Sequence, residues 1–335
     1  MFSTQNTFIA QYLQIVRWCF MISSNSFISA INVHSKLILS AFSLRKYGIL
    51  FLLTFLVTNI LLYSSFWNPN TVNGSISTCR CVVFRLDDIP YDRPIYDEKR
   101  VNVDLAVMDL FNDKNQSLSL GLVMHYINQS PGLLKKIQEG QRKGIFELSL
   151  HGWNHVNYSK LSEKDQEQSL RKANIKMREL FDSSSIIFIP PYTDFNDSTL
   201  VAMKKLGIKI LSASDDSDHH KYFMPNQTKK DSEDDQIYHL PQMATFENWE
   251  DEKPIRIPND QILRDVEHYI GKYGYAIVTI HPQSFMKFRE GDSTSVSLEN
   301  SVLDAEQIEQ LNALIHSILD KKIRITSFSK LVGTD

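Results

Sequence analysis

The stretch at residues 145–158, IFELSLHGWNHVNY, decides how the rest of the sequence is interpreted. Residues 145–150 are rich in Ile, Phe and Leu, which predicts a strand covered on both faces, as in the parallel sheets of α/β proteins. His151 and His155 follow where this strand ends. Two histidines four residues apart on a turn point to the same side and suit the chelation of one divalent ion. The alternative is that one or both histidines pack in the core or cap a loop.

The distribution of charge argues against a nucleic-acid partner. The 335 residues carry a formal net charge of −3, but the first 86 residues contain six Lys or Arg and no Asp or Glu. The remainder therefore holds 30 cations and 39 acids, a net charge of −9. A polyanion is repelled by such an acidic body. We expect no nucleic acid among its partners.

Residues 48–67, GILFLLTFLVTNILLYSSFW, form an uncharged stretch of about 20 residues, long enough to span a bilayer as a helix. Arg45 and Lys46 precede this stretch, and the next cation is Arg80. The asymmetry predicts a single-pass protein of the cell membrane, with its N-terminus in the cytoplasm and its large C-terminal part outside. The alternatives are a buried core helix and a cleaved signal peptide, which the length and position of the stretch disfavour.

The sequence thus divides into a cytoplasmic tail (residues 1–47), a transmembrane signal anchor (48–67), a polar linker (68–78) and a folded domain (79–335). Five sequons of the type N-x-S/T, which suit an exported and glycosylated domain, begin at Asn73, Asn115, Asn157, Asn196 and Asn226. A disulfide between such near neighbours as Cys79 and Cys81 would be strained. Residues 214–236 are a charged insertion.

From residue 81 onward, short apolar runs alternate with amphipathic stretches, which predicts right-handed βαβ units around a parallel sheet or barrel. The predicted strands are residues 81–86, 118–126, 145–150, 186–189, 208–213, 237–240, 275–280 and 323–328. The predicted helices are residues 132–143, a long helix opened by Ser162, residues 198–206 and 259–272, and a last helix through Ile308, Leu311, Ile315 and Ile318.

Polar groups stand at the ends of four predicted strands, the position at which (β/α) barrels place their active sites. They are Asp87 and Asp88, His151 and His155, Pro190, Pro191 and Tyr192, and His281 followed by Pro282. Together they supply a carboxylate and two imidazoles for one metal ion, with a second carboxylate left over. Three ligands and an open position are typical of a catalytic zinc site.

The motifs RLDD, HGWNH, IPPY and IVTIH, in this order and spacing, resemble those of the polysaccharide deacetylases, or carbohydrate esterase family 4. The resemblance covers roughly residues 81–333 and indicates a divergent, membrane-anchored member. It implies a distorted (β/α) barrel of about seven parallel strands after the one transmembrane helix. The domain at residues 79–335 is then a deacetylase-like catalytic domain.

The same resemblance implies roles for single residues. Asp88, His151 and His155 would bind one divalent ion. Zn²⁺ is the expected metal, with Co²⁺, Ni²⁺ or Mn²⁺ as alternatives. Asp87 would be the general base and His281 the general acid, and an oxyanion would be held by the backbone N–H of Tyr192. The alternative for Asp87 is a carboxylate that only orients a ligand histidine, and the alternative for His281 is a histidine fixed at a strand end by Pro282.

The sequence also departs from the family pattern. Ile89 stands where the first motif usually ends in Gly, and Ile189 replaces the Arg that opens the third motif. The Asp–Trp motif is not recognisable, although Asp215 or Asp216 would hold its place. Arg85 lies two residues before Asp87, so the two side chains share a face of the strand. Arg85 is therefore a candidate to replace the missing arginine through a bidentate pair with Asp87. The alternative is that Arg85 pairs elsewhere in the barrel or reaches solvent at its rim.

The predicted function is a metal-dependent hydrolase that removes N-acetyl or O-acetyl groups from a cell-surface or extracellular polysaccharide. Its partners would be an acetylated polysaccharide or oligosaccharide and, through residues 48–67, the membrane. Two alternatives belong to other classes. One is a metal-dependent amidohydrolase acting on a small non-sugar amide, and the other is a catalytically silent carbohydrate-binding relative.

Overall fold

The computed structural model describes residues 79–90, 98–214, 237–250, 253–287 and 302–334. All of them belong to one compact unit, Asn73–Asp335. The predicted tail, anchor and linker at residues 1–78 lie outside the described residues, as does nearly all of the insertion at 214–236. Across the described parts of the chain, none of the helices is both long and apolar enough to cross a membrane.

Nine strands form one sheet in which every pairing is parallel, so the predicted α/β class is confirmed. The resemblance implied about seven strands, whereas the sheet contains all eight strands predicted from the sequence and a ninth, Ala244–Thr245, which is too short to leave a pattern in the sequence. Its strands are β1 (Cys81–Ile89), β2 (Leu118–Leu122), β3 (Phe146–Leu150), β4 (Ile187–Phe188), β5 (Ile210–Leu211), β6 (Tyr238–His239), β7 (Ala244–Thr245), β10 (Tyr275–Ile280) and β13 (Arg324–Thr326). Two antiparallel pairs stand beside it, β8 (Glu247–Glu250) with β9 (Lys253–Arg256) and β11 (Met286–Lys287) with β12 (Val302–Leu303).

Seven helices connect or flank the strands of the described chain. They are α1 (Glu98–Asp113), α2 (Pro131–Arg142), α3 (Glu163–Phe181), α4 (Asp197–Lys205), α5 (Asn259–Tyr273), α6 (Ala305–Asp320) and α7 (Phe328–Val332). The predicted helices correspond to α2 to α6, and Ser162 caps α3 as expected by accepting a hydrogen bond from Asp165 N. Helix α1 and the β8–β9 hairpin have no counterpart among the predictions. The predicted strand at 118–126 was too long, because β2 ends at Leu122 and a turn follows.

The sheet curls until its two end strands come close together. Its path is β6-β5-β4-β3-β2-β1-β10-β7, with β13 beside the first part of β1. Only residues 240–243 separate β6 from β7. Within this short segment, Gln242 N donates to Ala213 O just beyond β5, and Met243 N donates to Ile277 O in β10. The segment therefore contacts both sides of the gap and makes the sheet barrel-like.

Alternation along β1 separates the outer core from the barrel interior. Val82, Phe84 and Leu86 belong to the large apolar core, whereas Cys81 and Val83 belong to a smaller apolar cluster. The smaller cluster also contains residues of β4, β5 and β10, together with Phe328 and Leu331 of α7. Continuing by twos along β1 brings Arg85 and then Asp87 to the interior face, above a closed apolar base.

Cys79 and Cys81 form a disulfide although they are such near neighbours. The backbone explains how they meet. Arg80 adopts a left-handed conformation with φ 39°, which folds the chain back between the two cysteines. Their Cα atoms are then 5.2 Å apart, within the ordinary range for a disulfide.

The contact of α2 with β3 yields a test of the packing. A Cβ at Gly140 would clash with the buried ring of Phe146, so Gly140→Ala should lower the free energy of unfolding by about 1–3 kcal/mol. Gly271 of α5 is exposed and has open space around it. Gly271→Ala should therefore raise the free energy of unfolding by up to about 1 kcal/mol. Urea denaturation of the purified chain measures both, and equal effects would contradict the packing described.

Candidate active site at the carboxyl ends of the strands

A bulge at the end of β1 positions the two neighbouring aspartates. The pairing of β1 with β2 shifts register between Leu86 and Ile89, and Asp88 has φ 60°. Successive side chains of a regular strand point to opposite faces. A bulge with one residue in the left-handed region, which Asp tolerates better than most residues, re-aims a side chain. Asp87 and Asp88 can therefore both line the cleft at this end of the barrel.

Asp88, His151 and His155 form a cluster whose candidate ligand atoms all lie within 4.8 Å of one another. Asp88 Oδ1 is 2.9 Å from Nε2 of each histidine. Burial favours the neutral form of Asp88, but hydrogen bonds from the two histidines outweigh it and hold the pKa of Asp88 well below its ordinary value. The sequence-predicted ligand set is thus brought together in space.

The groups around this cluster fit a divalent cation. His151 Nδ1 donates to Ile189 O at 2.7 Å, which orients the imidazole so that Nε2 faces Asp88 Oδ1. Gln283 Nε2 donates to Asp88 Oδ2 at 3.3 Å, which leaves Oδ1 turned to the histidines. Carbonyl and amide partners that orient ligands in this way are typical of metal sites. One carboxylate and two imidazoles match the ligand count of a catalytic site with an open position.

Arg85 contacts Asp87, as its place on the strand predicted. Arg85 Nη2 lies 3.0 Å from Asp87 Oδ2, and the two side chains are 0% and 1% exposed. The contact is made by one nitrogen and is not bidentate, because Nη1 instead donates to Ser212 O and Oγ and Nη2 also donates to Gln242. Burial lowers the pKa of Arg85 from its ordinary value, although neighbouring Asp87 opposes this. The guanidinium thus joins β1 to the segments after β5 and β6.

Gly121 of β2 makes room for this arrangement. A Cβ at this position would lie 3.3 Å from Asp87 Cα and Oδ1, and 3.6 Å from His151 Cβ. Strand β2 runs between β1 and β3, which carry these two residues. The absence of a side chain at Gly121 therefore lets Asp87 and His151 approach each other across the sheet.

His281 faces Asp87 from the end of β10, with Nε2 4.0 Å from Asp87 Oδ2. Its Nδ1 donates to Glu247 Oε1 at 2.5 Å, and Glu247 is buried at the start of β8. Burial alone would lower the pKa of His281, but the Glu247 carboxylate, with Asp88 and Asp87, raises it to about 9. The imidazole is therefore protonated at neutral pH.

Tyr192 lies in a tight turn after β4, at residues Pro191–Thr193. Tyr192 and Thr193 both have positive φ, 61° and 54°, and such strain in non-glycine residues tends to occur at functional sites. Asp194 ties this turn to the loop of His155, since its Oδ2 accepts hydrogen bonds from Asn157 Nδ2 and Ser159 Oγ. The two loops that border the cluster are thus held together.

The cleft has a volume of about 470 Å³ and is lined by two exposed aromatic side chains, one beside His155 and the other beside His281. Tyr192 is 58% exposed, with its ring centroid 4.7 Å from that of His155. Trp249 of β8 is 46% exposed, and its ring meets the His281 ring edge to face at 5.8 Å. Pro190 also lines the cleft.

The sequence of residues 75–211 matches the family model described as polysaccharide deacetylase. This match covers β1 to β5 and therefore the aspartates, both cluster histidines and Tyr192. This part of the chain is therefore similar to the polysaccharide deacetylases. No curated protein matches the chain.

Solved structures of other proteins also align with this chain. A protein of Mycobacterium smegmatis assigned to the polysaccharide deacetylases aligns with a TM-score of 0.51 at 15% identity, over 76% of this chain and 88% of that one. A peptidoglycan N-acetylglucosamine deacetylase aligns with a TM-score of 0.48 at 12% identity, over 76% and 89%. A CE4 family pseudoenzyme of Bacillus anthracis aligns with a TM-score of 0.47 at 12% identity, over 76% of this chain and 66% of that one, just under two thirds of its length.

Three residues of the candidate active site escape a sequence-based search. Glu247 lies 34 residues before His281, in a hairpin that no sequence pattern predicts. Gln283 lies two residues after His281 and belongs to no recognised motif. Gly121 is important only because of what approaches it in space. Asp215 and Asp216, expected to hold the place of the Asp–Trp motif, lie outside the described residues. In the described part, the acid that contacts His281 through Nδ1 is Glu247.

The Glu247–His281 contact can be tested by titration. Glu247→Gln should lower the pKa of His281 from about 9 to about 6.5 or below, since the raising charge is removed and burial remains. Glu250→Gln, an exposed position on the same strand, should leave it unchanged. Nitrogen NMR of the imidazole, at equal metal content in all variants, measures the value. An unchanged pKa in Glu247→Gln would contradict the assignment.

Proposed function

We propose that this chain is a metal-dependent hydrolase that removes N-acetyl or O-acetyl groups from a cell-surface or extracellular polysaccharide. One observation carries the proposal. Beside the Asp88–His151–His155 cluster, the Asp87 carboxylate faces the imidazole of His281, which pairs a candidate base with a candidate acid. Asp87 Oδ1 is buried and, among the described residues, has no hydrogen-bond partner. His281, protonated at neutral pH, stands 4.0 Å from the other oxygen of the same carboxylate.

The roles of the residues follow from these positions. Asp87, held by Arg85, takes a proton from the attacking water at Oδ1. His281 gives its Nε2 proton to the leaving amine or alcohol, while Glu247 stabilises the imidazolium through Nδ1. The backbone N–H of Tyr192 donates to the developing oxyanion. A divalent ion bound by Asp88, His151 and His155 would acidify water and polarise the substrate carbonyl.

The walls of the cleft favour a sugar polymer over a small amide. A pyranose ring presents apolar C–H groups on its faces, and exposed aromatic rings stack on such faces while the hydroxyls remain in water. Trp249 and Tyr192 lie beside the acid and the metal cluster respectively, so sugar rings can be held on both sides of the reacting group. A small amide would use neither ring.

Acetate release from N-acetylated and O-acetylated glycans tests this function. We expect release that stops when a chelator removes the metal and returns with added Zn²⁺ or Co²⁺. Asp87→Asn should lower turnover by about 10²–10⁴-fold, because the base is lost, while metal binding remains. Asp182→Asn is the matched control, since Asp182 is an exposed αL residue after α3 and Asn tolerates that conformation.

The outcomes separate the competing functions. Release from a small acetylated amide but from no glycan would contradict the polysaccharide substrate. Glycan binding without release, in a metal-loaded chain, would contradict an enzyme. Full turnover in Asp87→Asn would contradict the role of Asp87 as the base.

We also propose that residues 48–67 anchor the chain in the cell membrane, with the deacetylase domain outside. Arg45 and Lys46 before the uncharged stretch support this orientation. Protease added to intact cells should digest the domain at residues 79–335 and spare an epitope placed at the N-terminus. Protection of the domain until the membrane is permeabilised would reverse the orientation.

A further inference from the structure

Four N-x-S sequences fall within the described residues, and their asparagines differ in what the side-chain amide does. They begin at Asn115, Asn128, Asn157 and Asn196. In an N-glycan, the asparagine Nδ2 carries a bulky, hydrated oligosaccharide that needs open solvent. An amide that folding requires for internal hydrogen bonds is therefore a poor carrier.

Asn157 and Asn196 both use their amides inside the loops that border the cleft. Asn157 Nδ2 donates to Asp194 Oδ2, and its Oδ1 accepts from Ser159 N and Oγ. Asn196 Nδ2 donates to Ser159 O, and its Oδ1 caps α4 by accepting from Thr199 N. An oligosaccharide on either nitrogen would displace a contact that holds the Tyr192 turn.

Asn128 is exposed, but its sequence is followed directly by Pro131. Its Oδ1 accepts a hydrogen bond from Lys176 Nζ at 2.8 Å. Ser130, the hydroxyl residue of this sequence, is buried as the N-cap of α2. Asn128 is thus a weaker candidate than its exposure suggests.

Asn115 combines exposure with a suitable backbone. It lies in the turn between α1 and β2, with φ 52°, a left-handed conformation that Asn adopts readily after a helix. The turn is fixed by its backbone, since Asn115 N donates to Asn112 O and Gln116 N donates to Phe111 O. Its exposed side chain can therefore carry a substituent without loss of these bonds.

Asn115 also lies far from the cleft. It precedes β2, whereas the candidate active site lies at the opposite, carboxyl ends of the parallel strands. The five residues of β2 alone separate the two edges by roughly 16 Å. A large substituent at Asn115 would leave the cleft open.

We propose that Asn115 is an N-glycosylation site of the exported domain. This inference rests on the proposed topology and is independent of catalysis. The co-reactant is a lipid-linked oligosaccharide phosphate or pyrophosphate. A bond forms between Asn115 Nδ2 and C1 of the terminal sugar, the bond from C1 to the phosphate oxygen breaks, and Nδ2 loses a proton. The lipid phosphate or pyrophosphate is the leaving group, keeps the electron pair of the broken bond and takes up the proton.

The test uses the full chain, expressed in a eukaryotic secretory host and purified from membranes. Peptide N-glycosidase converts a glycosylated Asn to Asp, which peptide mass spectrometry locates. We expect conversion at Asn115 in the wild-type chain and in Ser198→Ala, which removes only the sequon of Asn196. Conversion should be lost in Ser117→Ala, which removes the sequon and keeps the turn residue, and in Asn115→Gly, which suits the positive φ.

An unmodified Asn115 in a chain that carries a glycan at Asn73 or Asn226 would overturn the site while leaving the topology intact. Absence of a glycan from the whole chain would overturn both the site and the topology. Acetate release from the same preparation reports on the deacetylase function separately. A glycan at Asn115 without release would uphold this inference and contradict that function.

Discussion

The buried contact between Arg85 and Asp87 is the constraint on which the upper part of the barrel depends. A charge in the barrel interior is costly unless it is paired, and removal of one partner of such a pair typically costs about 3–5 kcal/mol. The Arg85 guanidinium makes three contacts, since it neutralises Asp87, donates to Ser212 and donates to Gln242. The ends of the sheet and the proposed base are therefore fixed by the same guanidinium. This explains how the site keeps an arginine beside its carboxylate although Ile189 occupies the usual place.

The neighbouring carboxylates of Asp87 and Asp88 have different environments. Asp87 faces Arg85 and His281, whereas the left-handed backbone at Asp88 turns the second carboxylate to His151 and His155. A regular strand would have sent one of the two to the outer face. The bulge thus converts two adjacent residues into a candidate base and a candidate metal ligand, separated by one peptide bond.

The sequence predicted those parts of the molecule that depend on local pattern. The strand at residues 275–280 and the helix opened by Ser162 were predicted from periodicity and capping, and the side shared by Arg85 and Asp87 follows from the period of a strand. Contacts between distant segments were not predictable, because no local pattern encodes them. Glu247 meets His281 only when a hairpin folds over the end of β10. Ile189 lacks the expected side chain, yet its carbonyl oxygen accepts from His151, which any residue can provide.

Metal binding by the purified full chain tests the central claim most directly. After chelation and dialysis, calorimetric titration with Zn²⁺ should give about one tight site per chain in the wild type, and the same in His268→Ala, which removes an exposed histidine of α5. In His151→Ala this site should disappear, because one of three ligands and its link to Ile189 are removed. Full zinc occupancy in His151→Ala, or no zinc binding by the wild-type chain, would contradict the account.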